Sequence, residues 1–270
     1  MTKISIITAT YNAEKFLENN IQCILSQKVK VKDVEHILVD GMSTDKTLEI
    51  VEKYRSHFSK IIIEKDKGIY DAMNKGILAA RGELIGILNA DDYYTEDTLS
   101  LVLKKYEASN KKNIILYGDM YQDYDGIKSF TSGDLSNFAF KKDRFKINHP
   151  TVFISKSIYD KIGLFDISFS RAADREFLLR AHKNNFFFLK INKILSVFKL
   201  GGFTSSYDIS SVYNRTLEEY RLYIKYYSKW HTVIKTFEQF LRLLKNLILI
   251  KILGQKKFLK IQIKKLKKRN

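Results

Sequence analysis

The sequence lacks most features of a secreted, disulfide-stabilised or membrane-spanning protein. Cys23 is its only cysteine, so no disulfide can form within the chain, and this fits a reducing compartment. No apolar stretch approaches the roughly 18–20 residues needed to cross a bilayer. The first residues have the pattern of a strand, not of a charged segment followed by an apolar one, so we expect no signal peptide. The expected location is therefore cytoplasmic.

Glycine-rich phosphate loops are also missing. Neither G-x-G-x-x-G nor G-x-x-x-x-G-K-[ST] occurs, and the first predicted strand-to-helix turn, T-A-T-Y-N at residues 8–12, contains no glycine. This disfavours dinucleotide oxidoreductases and P-loop NTPases. Without glycine the backbone cannot approach a pyrophosphate here, so side chains would have to contact a base or a ribose. The alternative is an ordinary turn in which Asn12 caps a helix over Ala13–Gln27.

Acidic residues are absent from the end of the chain. No Asp or Glu follows Glu238, whereas eleven Lys or Arg lie from Arg242 to Arg269. Most of the net charge of +17 therefore belongs to this tail, and the first 238 residues carry about +6. The tail interleaves bases with apolar residues, which is typical of a helix lying on an anionic membrane surface. The alternative is a helix that packs on the rest of the protein or on a homodimer partner.

Four short apolar runs are the main organising feature of the first ninety residues. Each of them ends in a polar or acidic cluster. The runs are Lys3–Ala9, Glu35–Val39, Lys60–Glu64 and Leu84–Leu88. Helical patterns over Ala13–Gln27, Lys46–Phe58 and Ile69–Ala80 separate them, which predicts βαβ units and a parallel sheet. Because such sheets bind ligands beyond the carboxyl ends of their strands, we expect a nucleotide and metal site at that edge.

The pattern changes to α+β from Tyr93 onward. We predict helices and strands here, followed after Gly201-Gly202 by an all-helical end. The helices are Glu96–Ala108, Lys156–Ile162, Ala172–Asn184, Ile209–Lys229 and His231–Leu253, with a basic helical terminus. The strands are Ile114–Tyr117, Thr151–Ile154, Phe186–Ile191 and Ile194–Leu200.

Carboxylates follow the second and fourth apolar runs. Asp40 could accept from a base imide or a ribose hydroxyl, or serve the Asp-Gly turn in which it stands. Asp45 fits helix capping. Asp91 and Asp92 are adjacent, so they repel each other unless a cation or a donor network compensates. Mg²⁺ takes one or two carboxylates plus phosphate oxygens, which suits this pair. The alternative is a solvated turn before the helix Glu96–Ala108.

Together these motifs resemble the family-two nucleotide-sugar glycosyltransferases of the GT-A fold. The matching segments are T-x-T-Y-N, V-D-G-x-S-x-D-x-T, D-K-G-I-Y-D-A-M-N-K-G and L-N-A-D-D, in family order and spacing over Lys3–Asp92. Weaker matches continue through Asn148–Thr151, Gly163–Asp166 and Ala172–Glu176 and lapse beyond about Gly202. The pattern is most similar to bacterial enzymes that build capsule, O-antigen and exopolysaccharide.

The resemblance implies a nucleoside diphosphate sugar donor, a divalent metal (Mg or Mn) and inversion at the anomeric carbon. It places one group of residues around the nucleotide sugar and assigns the metal to Asp91 and Asp92. The first group is Thr8, Thr10, Tyr11, Asn12, Asp40, Asp66, Lys67 and Asp91. Many relatives have Asp-x-Asp-Asp at the metal motif, whereas this chain has Asn89 first, and an amide is a poorer metal ligand.

The general base is assigned by the resemblance to Asp174. Many relatives have Glu-Asp at this position, and Ala173 replaces the Glu here, so Asp174 is the sole candidate. Local sequence alone favours a cap for the helix Arg175–Asn184, with Glu176 in its first turn. His149 and Glu176 are further candidates for acceptor or diphosphate contacts, although a lone histidine is usually structural.

We therefore expect an α/β, mostly parallel sheet of Rossmann-like GT-A type with flanking helices and a C-terminal helical appendage. Residues 1-92 would bind the nucleotide sugar, 93-205 would complete the same catalytic domain as the acceptor half, and 206-270 would associate with the inner face of the cell membrane. The expected reaction moves a sugar, with UDP-sugar as the favoured donor, to a hydroxyl of a lipid-linked glycan in surface polysaccharide biosynthesis. The alternatives are a polyprenyl-phosphate sugar synthase and a non-catalytic basic nucleotide-fold protein that binds membrane or nucleic acid. Nucleic acid is not an expected partner, because no aromatic stacking module is present.

Overall fold

The computed structural model describes residues 2–135, 147–200, 209–227, 229–254, 257–258 and 261. Within them nine strands form one sheet, and eight helices surround it. The strands are β1 (Ile4–Thr10), β2 (Val34–Asp40), β3 (Lys60–Ile63), β4 (Leu84–Ile87), β5 (Tyr93–Tyr94), β6 (Ile114–Tyr124), β7 (Ile127–Thr131), β8 (Phe153–Ser155) and β9 (Phe187–Lys199). The helices are α1 (Leu17–Lys30), α2 (Thr47–Lys53), α3 (Ile69–Ala79), α4 (Thr98–Ala108), α5 (Lys156–Ile162), α6 (Ala173–Lys183), α7 (Ile209–Tyr226) and α8 (Lys229–Leu253).

The strand order is β3-β2-β1-β4-β8-β6-β9-β5, with β7 paired to β6. The first four of these strands are mutually parallel, so they all end at one edge of the sheet. The other half mixes a parallel β6–β9 pair with antiparallel pairs. The predicted α/β sheet with flanking helices is confirmed, and so is the edge at which the four polar clusters meet.

Helices cover both faces of the sheet because each face is apolar. On one face, Met73 of α3, Phe177 of α6 and Leu222 of α7 pack with Ile7 and Ile87 in a single core. On the other face, α1 and α4 pack against β1, β4, β6 and β9. Every residue of β1 and β2 is buried, so apolar residues fall on both faces of these strands instead of alternating with exposed polar ones.

Gly76 allows α3 to approach the sheet closely. A Cβ atom at this position would lie 2.4 Å from Cγ2 of Ile7, well inside van der Waals contact. A side chain here would therefore push α3 away from β1. This close packing fixes the distance between α3 and the sheet. It thereby fixes the position of Tyr70, in the first turn of α3, relative to the strand ends.

The second half of the sheet differs from the prediction in three places. The polar stretch before Gly133 contains a hairpin, because Asp125 and Gly126 both adopt positive φ and form the tight turn that joins β6 to β7. The two strands expected between residues 186 and 200 are one continuous strand, β9. The strand expected at Thr151–Ile154 is a 3-10 turn, His149–Thr151, followed by β8.

α7 is tied to the body of the protein by charged and polar contacts. Glu218 accepts hydrogen bonds from the backbone of Ser170 at 2.7 Å and of Arg171 at 3.0 Å. Glu219 pairs with Arg175 of α6 at 2.7 Å. Together with the buried Leu222, these contacts make α7 part of the packing of the main hydrophobic core. The first helix of the segment 206-270 is therefore docked on the rest of the chain.

α8 packs on α7 and leaves much of its apolar surface exposed. Of its residues, Leu243 and Gln239 are buried, whereas Phe237 and Ile248 are more than half exposed. Among the described residues, no helix has the length and hydropathy needed for a membrane span. The predicted basic helical terminus falls mostly outside the described residues.

Candidate functional site

Three loops meet beyond the ends of β1, β2 and β3. Their contact point is Gly41: a Cβ atom there would lie 2.4 Å from Oδ2 of Asp66 and 3.5 Å from Cδ2 of Tyr11. The absence of a side chain at residue 41 therefore lets the Asp66 carboxylate and the Tyr11 ring approach the same spot. Tyr11 is 62% exposed, so its ring offers a flat surface to a ligand. The structure brings Tyr11 and Asp66 together as predicted from their positions at strand ends.

Asn12 joins the loop after β1 to the loop after β2. Its backbone has a left-handed φ of 49°, which asparagine tolerates well. Its N–H donates to Ser43 Oγ at 2.9 Å, and its Oδ1 accepts from the Thr44 N–H at 2.8 Å. The alternative in which Asn12 caps the first helix is wrong, because α1 begins at Leu17 and has no side-chain cap.

The carboxylate of Asp40 is buried and occupied by its own loop. Oδ1 accepts from the Ser43 N–H at 2.7 Å, and Oδ2 accepts from the Ser43 hydroxyl at 2.6 Å. The turn role is therefore realised, and a base or ribose contact from Asp40 stays a prediction. Asp45 accepts from the Thr47 N–H at 3.0 Å just before α2, whereas the cap position itself is Lys46, which makes no side-chain cap hydrogen bond.

The two threonines of the first motif have different environments. Thr8 is completely buried, and its hydroxyl contacts Asn20 Oδ1 at 3.2 Å and His36 Nε2 at 3.0 Å. The prediction that the Thr8 side chain contacts a nucleotide is therefore corrected. This side chain points into the protein, beneath the rim formed by the loops that follow β1, β2, β3 and β4. Thr10, at the end of β1, has a buried hydroxyl without a hydrogen-bond partner among the described residues. It remains a candidate contact.

Asp66 and Lys67 lie in the loop between β3 and α3. Oδ1 of Asp66 accepts from the Gly68 N–H at 2.8 Å, and the Lys67 N–H donates to Asp71 at 3.0 Å. Gly68 has a φ of +112°, so the loop needs glycine to enter α3 in this way. The Lys67 side chain is exposed and extends from the rim.

Asp91 and Asp92 stand in the turn between β4 and β5. Asp92 is 1% exposed; its Oδ1 accepts from the Lys199 N–H at 3.1 Å, whereas its Oδ2 is buried and has no hydrogen-bond partner within the described part of the chain. Burial and the charge of Asp91 raise the pKa of Asp92 well above its ordinary value. Burial also raises the pKa of Asp91, while the positive charge of Lys199 acts in the opposite direction. Burial therefore disfavours the charged form of both carboxyl groups, and the charge of Lys199 offsets this only in part at Asp91.

This acidic pair fits a hard divalent cation that also binds substrate oxygens. Among the described residues, no group of three or more His, Cys, Asp or Glu could hold a metal by itself. Mg²⁺ and Mn²⁺ in nucleotide sites need only one or two carboxylates, since phosphate and water complete the shell. A cation would also give a partner to Oδ2 of Asp92 and favour the ionised form of both groups. The buried Oδ1 of Asn89, also unpartnered, faces the same turn region.

Asp174 lies in the first turn of α6 and is held from α3. The Tyr70 hydroxyl donates to Oδ1 of Asp174 at 2.9 Å, across 104 positions in sequence. Burial, reinforced by the Asp174 charge, raises the pKa of Tyr70 well above its ordinary value, so Tyr70 remains a donor at physiological pH. The cap position, Ala172, makes no side-chain cap hydrogen bond. Asp174 therefore faces Tyr70 instead of closing the helix end.

His149 shares a small pocket with Asp174. The pocket wall also includes Ile87 of β4 and Phe165, whose ring centroid is 6.2 Å from that of His149. Burial lowers the pKa of His149, and the negative charge of Asp174 partly opposes this. The structure therefore brings His149 and Asp174 to the end of the strand that leads into Asp91 and Asp92.

Glu176 is corrected from a ligand contact to an anchor for α7. Its carboxylate is completely buried. Oε1 accepts from Lys225 Nζ and from the Tyr226 hydroxyl, both at 2.7 Å, and Oε2 accepts from Arg180 at 3.1 Å. With these donors in place, Glu176 has no role at the rim. The sequence could not reveal this, because Lys225 and Tyr226 come from a distant helix.

We expect Glu176→Gln to lower the free energy of unfolding by about 3 kcal/mol, because it removes the buried carboxylate that pairs with both Lys225 and Arg180. Urea titration followed by circular dichroism would measure the loss. Glu96→Gln is the matched control, since Glu96 pairs with Lys30 while its side chain is 86% exposed, and such pairs contribute at most about 1 kcal/mol. Equal losses in the two variants would contradict the anchoring role.

Two residues that matter for the site were not singled out from the sequence. Tyr70 lies within the D-K-G-I-Y-D motif, but only packing shows that it meets Asp174. Lys199 contacts Asp92 through its backbone at the end of β9. Only the motif itself signalled Tyr70, and no sequence signal pointed to Lys199.

Both a family model and individual known proteins match this sequence. The family model described as "Glycosyl transferase family 2" matches residues 5–162, which is more than half of the chain. The "PGL/p-HBAD biosynthesis glycosyltransferase" of Mycobacterium tuberculosis is 31% identical over 184 residues, covering 67% of this chain and 70% of that protein. The family-model match at residues 5–162 runs from the second residue of β1 to the end of α5, so it contains the loops after β1, β2, β3 and β4.

Solved structures share the fold at low sequence identity. S. aureus TarS superimposes with a TM-score of 0.62 at 19% identity, covering 92% of this chain, which spans only 44% of the TarS chain. TarS 1-349 in complex with UDP-GlcNAc gives a TM-score of 0.61 at 21% identity, covering 90% and 72% of the two chains. The mannosyltransferase PcManGT of Pyrobaculum calidifontis, in complex with GDP-Man and Mn²⁺, gives 0.60 at 16% identity, covering 83% and 63%.

Proposed function

Because this chain belongs to glycosyl transferase family 2 and has the GT-A fold, we propose that it is an inverting, metal-dependent sugar transferase. Its donor is a nucleoside diphosphate sugar, with UDP-sugar favoured, and its acceptor is a hydroxyl of a lipid-linked glycan in bacterial surface polysaccharide biosynthesis. The donor classes seen with its structural neighbours, UDP-GlcNAc for TarS and GDP-Man for PcManGT, support this choice of donor.

One observation carries the proposal: a buried acidic pair follows β4, and an oriented carboxylate lies in a pocket lined by the same strand. β4 leads into Asp91 and Asp92, and the pocket that contains Asp174 is built against Ile87 of that strand. A leaving diphosphate and an incoming hydroxyl must approach the anomeric carbon from opposite sides in an inverting displacement. Two carboxylate sites with separate tasks at one edge match this requirement.

The acidic pair would hold a divalent cation that neutralises the charge on the leaving diphosphate. On the protein side, Oδ2 of Asp92 is the buried oxygen that lacks a partner, and the Lys199 N–H keeps Oδ1 in place at 3.1 Å. The exposed ring of Tyr11, the buried hydroxyl of Thr10 and the exposed Lys67 are the proposed nucleotide contacts.

Asp174 would take the proton from the acceptor hydroxyl. Tyr70 occupies Oδ1 as a donor at 2.9 Å, which fixes the carboxylate plane. Oδ2 is then the oxygen that we assign to the acceptor. The oxygen of the acceptor attacks the anomeric carbon as the bond to the diphosphate breaks, and the proton passes to Asp174.

Calorimetry of the purified protein with UDP, GDP and dTDP tests the donor assignment, with and without Mn²⁺. We expect one nucleotide to bind at micromolar to submillimolar concentration only with metal, and a hydrolysis screen with its sugar derivatives to identify the donor. If no nucleotide binds at millimolar concentration in the presence of Mn²⁺, the proposal fails. The chain would then be a non-catalytic member of this fold.

The proposed acceptor requires contact with a membrane surface, and α7 and α8 supply a suitable face. Both helices expose apolar side chains at intervals of three and four residues, which places them in one stripe on each helix. On α7 these are Tyr213, Leu217, Tyr220 and Ile224, and on α8 they are Trp230, Val233, Ile234, Phe237, Phe240, Leu241, Leu244, Ile248 and Ile252. Exposed Lys245 and Lys251 accompany the α8 stripe. Because the chain beyond Glu238 has no acidic residue, this face suits an anionic lipid surface.

We expect the triple substitution of Phe237, Leu241 and Ile248 by serine to weaken binding to vesicles containing phosphatidylglycerol at least tenfold. Each side chain contributes on the order of 1 kcal/mol when its apolar surface leaves water. Sedimentation of the protein with vesicles at low and high salt measures the effect. The control replaces three exposed apolar residues elsewhere, Val29, Leu78 and Ile167, by serine.

Equal vesicle binding by the triple variant and the wild type would reject the membrane role of this face. Light scattering on the same samples separates the remaining alternative. A wild-type dimer that becomes a monomer in the triple variant, without any vesicle binding by the wild type, would assign the stripe to a second copy of the chain.

A further inference from the structure

A buried network of hydrogen-bonded polar side chains runs beneath the rim, from α1 to the segment before β3. His57 Nε2 lies 2.7 Å from His36 Nδ1, and His36 Nε2 lies 3.0 Å from the Thr8 hydroxyl. The same hydroxyl lies 3.2 Å from Oδ1 of Asn20. His36 and Thr8 are completely buried and Asn20 is 1% exposed, so these side chains are shielded from bulk solvent. Such a network is costly unless every member is satisfied.

This hydrogen-bonded network ends at the turn that carries Asp91 and Asp92. Nδ2 of Asn20 donates to the carbonyl oxygens of Asn89 at 2.9 Å and of Asp92 at 3.1 Å. A backbone hydrogen bond from the Asp92 N–H to the Asn89 carbonyl, at 3.0 Å, closes the same turn. Asn20 therefore holds both ends of the turn from the side opposite the rim.

These contacts permit only one direction of hydrogen bonding. Because both protons of the Asn20 amide go to carbonyl oxygens, its Oδ1 must accept from Thr8. The Thr8 hydroxyl has one proton, so it must accept from His36, which places the proton of neutral His36 on Nε2. Nδ1 of His36 is then an acceptor, and His57 must donate from its own Nε2. Burial lowers the pKa of both histidines, so both are neutral at pH 7.

We propose that Asn20, Thr8 and His36, oriented by His57, are positioning residues that fix the Asn89–Asp92 turn in the geometry needed by Asp91 and Asp92. None of the four touches a substrate in this assignment; they act through the turn. The proposal relies on the proposed function only for what the turn binds. Its principal test requires neither nucleotide nor metal, so the two can fail separately.

Thr8→Val interrupts the series of hydrogen bonds at its middle member and preserves the shape of the side chain. Thr8→Ser retains the hydroxyl. Ser155→Ala is the matched control: its hydroxyl also makes two buried hydrogen bonds, to the N–H and the carbonyl of Ile114, both at 3.0 Å. Ser155 pairs with Leu84 at the start of β4, at the opposite end of the strand from the turn.

Amide hydrogen exchange of the metal-free protein measures the hold on the turn. We expect the Asp92 amide and its neighbours in the turn to exchange at least tenfold faster in Thr8→Val, and at nearly the wild-type rate in Thr8→Ser and Ser155→Ala. Turn exchange in Thr8→Val that is no faster than in Ser155→Ala would overturn the proposal. If Thr8→Val does not fold, His57→Leu replaces it, because it removes the donor at the half-buried end. At least threefold faster turn exchange is then expected, and an unchanged rate would overturn the proposal.

Nitrogen NMR of the imidazole rings tests the direction in which these hydrogen bonds are donated. At pH 7 we expect both His36 and His57 to carry their proton on Nε2, and a proton on Nδ1 of His36 would overturn the proposed order.

In an active preparation, the Mn²⁺ concentration for half-maximal transfer should rise about tenfold in Thr8→Val and return towards the wild-type value in Thr8→Ser. A wild type that binds no nucleotide with Mn²⁺ would refute the proposed function, while exchange and NMR would still decide the positioning role.

Discussion

Replacing Asp92 by alanine is expected to abolish sugar transfer and to remove the metal-dependent part of nucleotide binding. Asp92 supplies the buried oxygen that lacks a partner, and its loss leaves Asp91 alone to hold the cation. Loss of a cation that neutralises the leaving group raises the barrier by several kcal/mol, so kcat should fall at least about a thousandfold. Calorimetry with nucleotide and Mn²⁺, together with product formation, measures both effects.

A second readout shows that this loss is not due to misfolding. The folded-state pKa of Asp92 is raised, so its contribution to stability is present below the unfolded pKa and declines as the pH rises through the folded pKa. At neutral pH without metal, Asp92 therefore destabilises the fold. Asp92→Asn should raise the melting temperature of the metal-free protein above the wild-type value at pH 7, while Mn²⁺ and nucleotide no longer raise it further.

Asp97→Asn is the matched control for this experiment. Asp97 lies a few residues along the chain, pairs with Lys30 at 2.8 Å and has a 59% exposed side chain. It should leave both transfer and metal dependence unchanged. If metal-dependent nucleotide binding persists in both Asp91→Ala and Asp92→Ala, the assignment of the metal site is wrong.

Replacing Asp174 by asparagine is expected to lower kcat by about a hundred- to ten-thousandfold, the range for loss of a positioned general base. Asparagine keeps the shape of the side chain and can still accept from Tyr70, but it cannot take the acceptor proton. Because the pocket around Asp174 includes none of the proposed nucleotide or metal contacts from the loops after β1 to β4, the dissociation constant for nucleotide with Mn²⁺ should stay within about twofold of the wild type. Single-turnover transfer and calorimetry measure the two quantities.

The result for Asp174→Asn also discriminates between acceptors. A phosphate acceptor is already ionised and needs no base, so near-normal turnover in this variant would favour the polyprenyl-phosphate sugar synthase. Tyr70→Phe provides a graded comparison, since it retains the carboxylate and removes only the hydrogen bond at 2.9 Å. We expect it to reduce kcat on the order of tenfold if Asp174 is the base, and to have little effect on turnover if the acceptor is a phosphate.

Local patterns in the sequence were sufficient to predict the first half of the fold. Apolar runs of strand length, separated by helical periodicity, predicted β1 to β4 and their common edge, because burial on both faces of a parallel strand leaves a continuous apolar run. The second half was harder to predict for a physical reason. Mixed strand pairing depends on contacts between distant segments, and the Asp125-Gly126 turn that joins β6 to β7 was overlooked within a polar stretch.

The sequence by itself determined which residues come to the rim, since a carboxylate directly after a parallel strand must lie at its carboxyl end. Only the tertiary structure decided which of those groups face outward. Thr8 points inward because α1 brings Asn20 beneath β1, and Glu176 is buried because α7 delivers Lys225 and Tyr226 to it. Tyr70 meets Asp174 because α3 and α6 pack on the same face of the sheet. The partners of a buried polar group are chosen by whichever elements pack over it, and no local pattern contains that information.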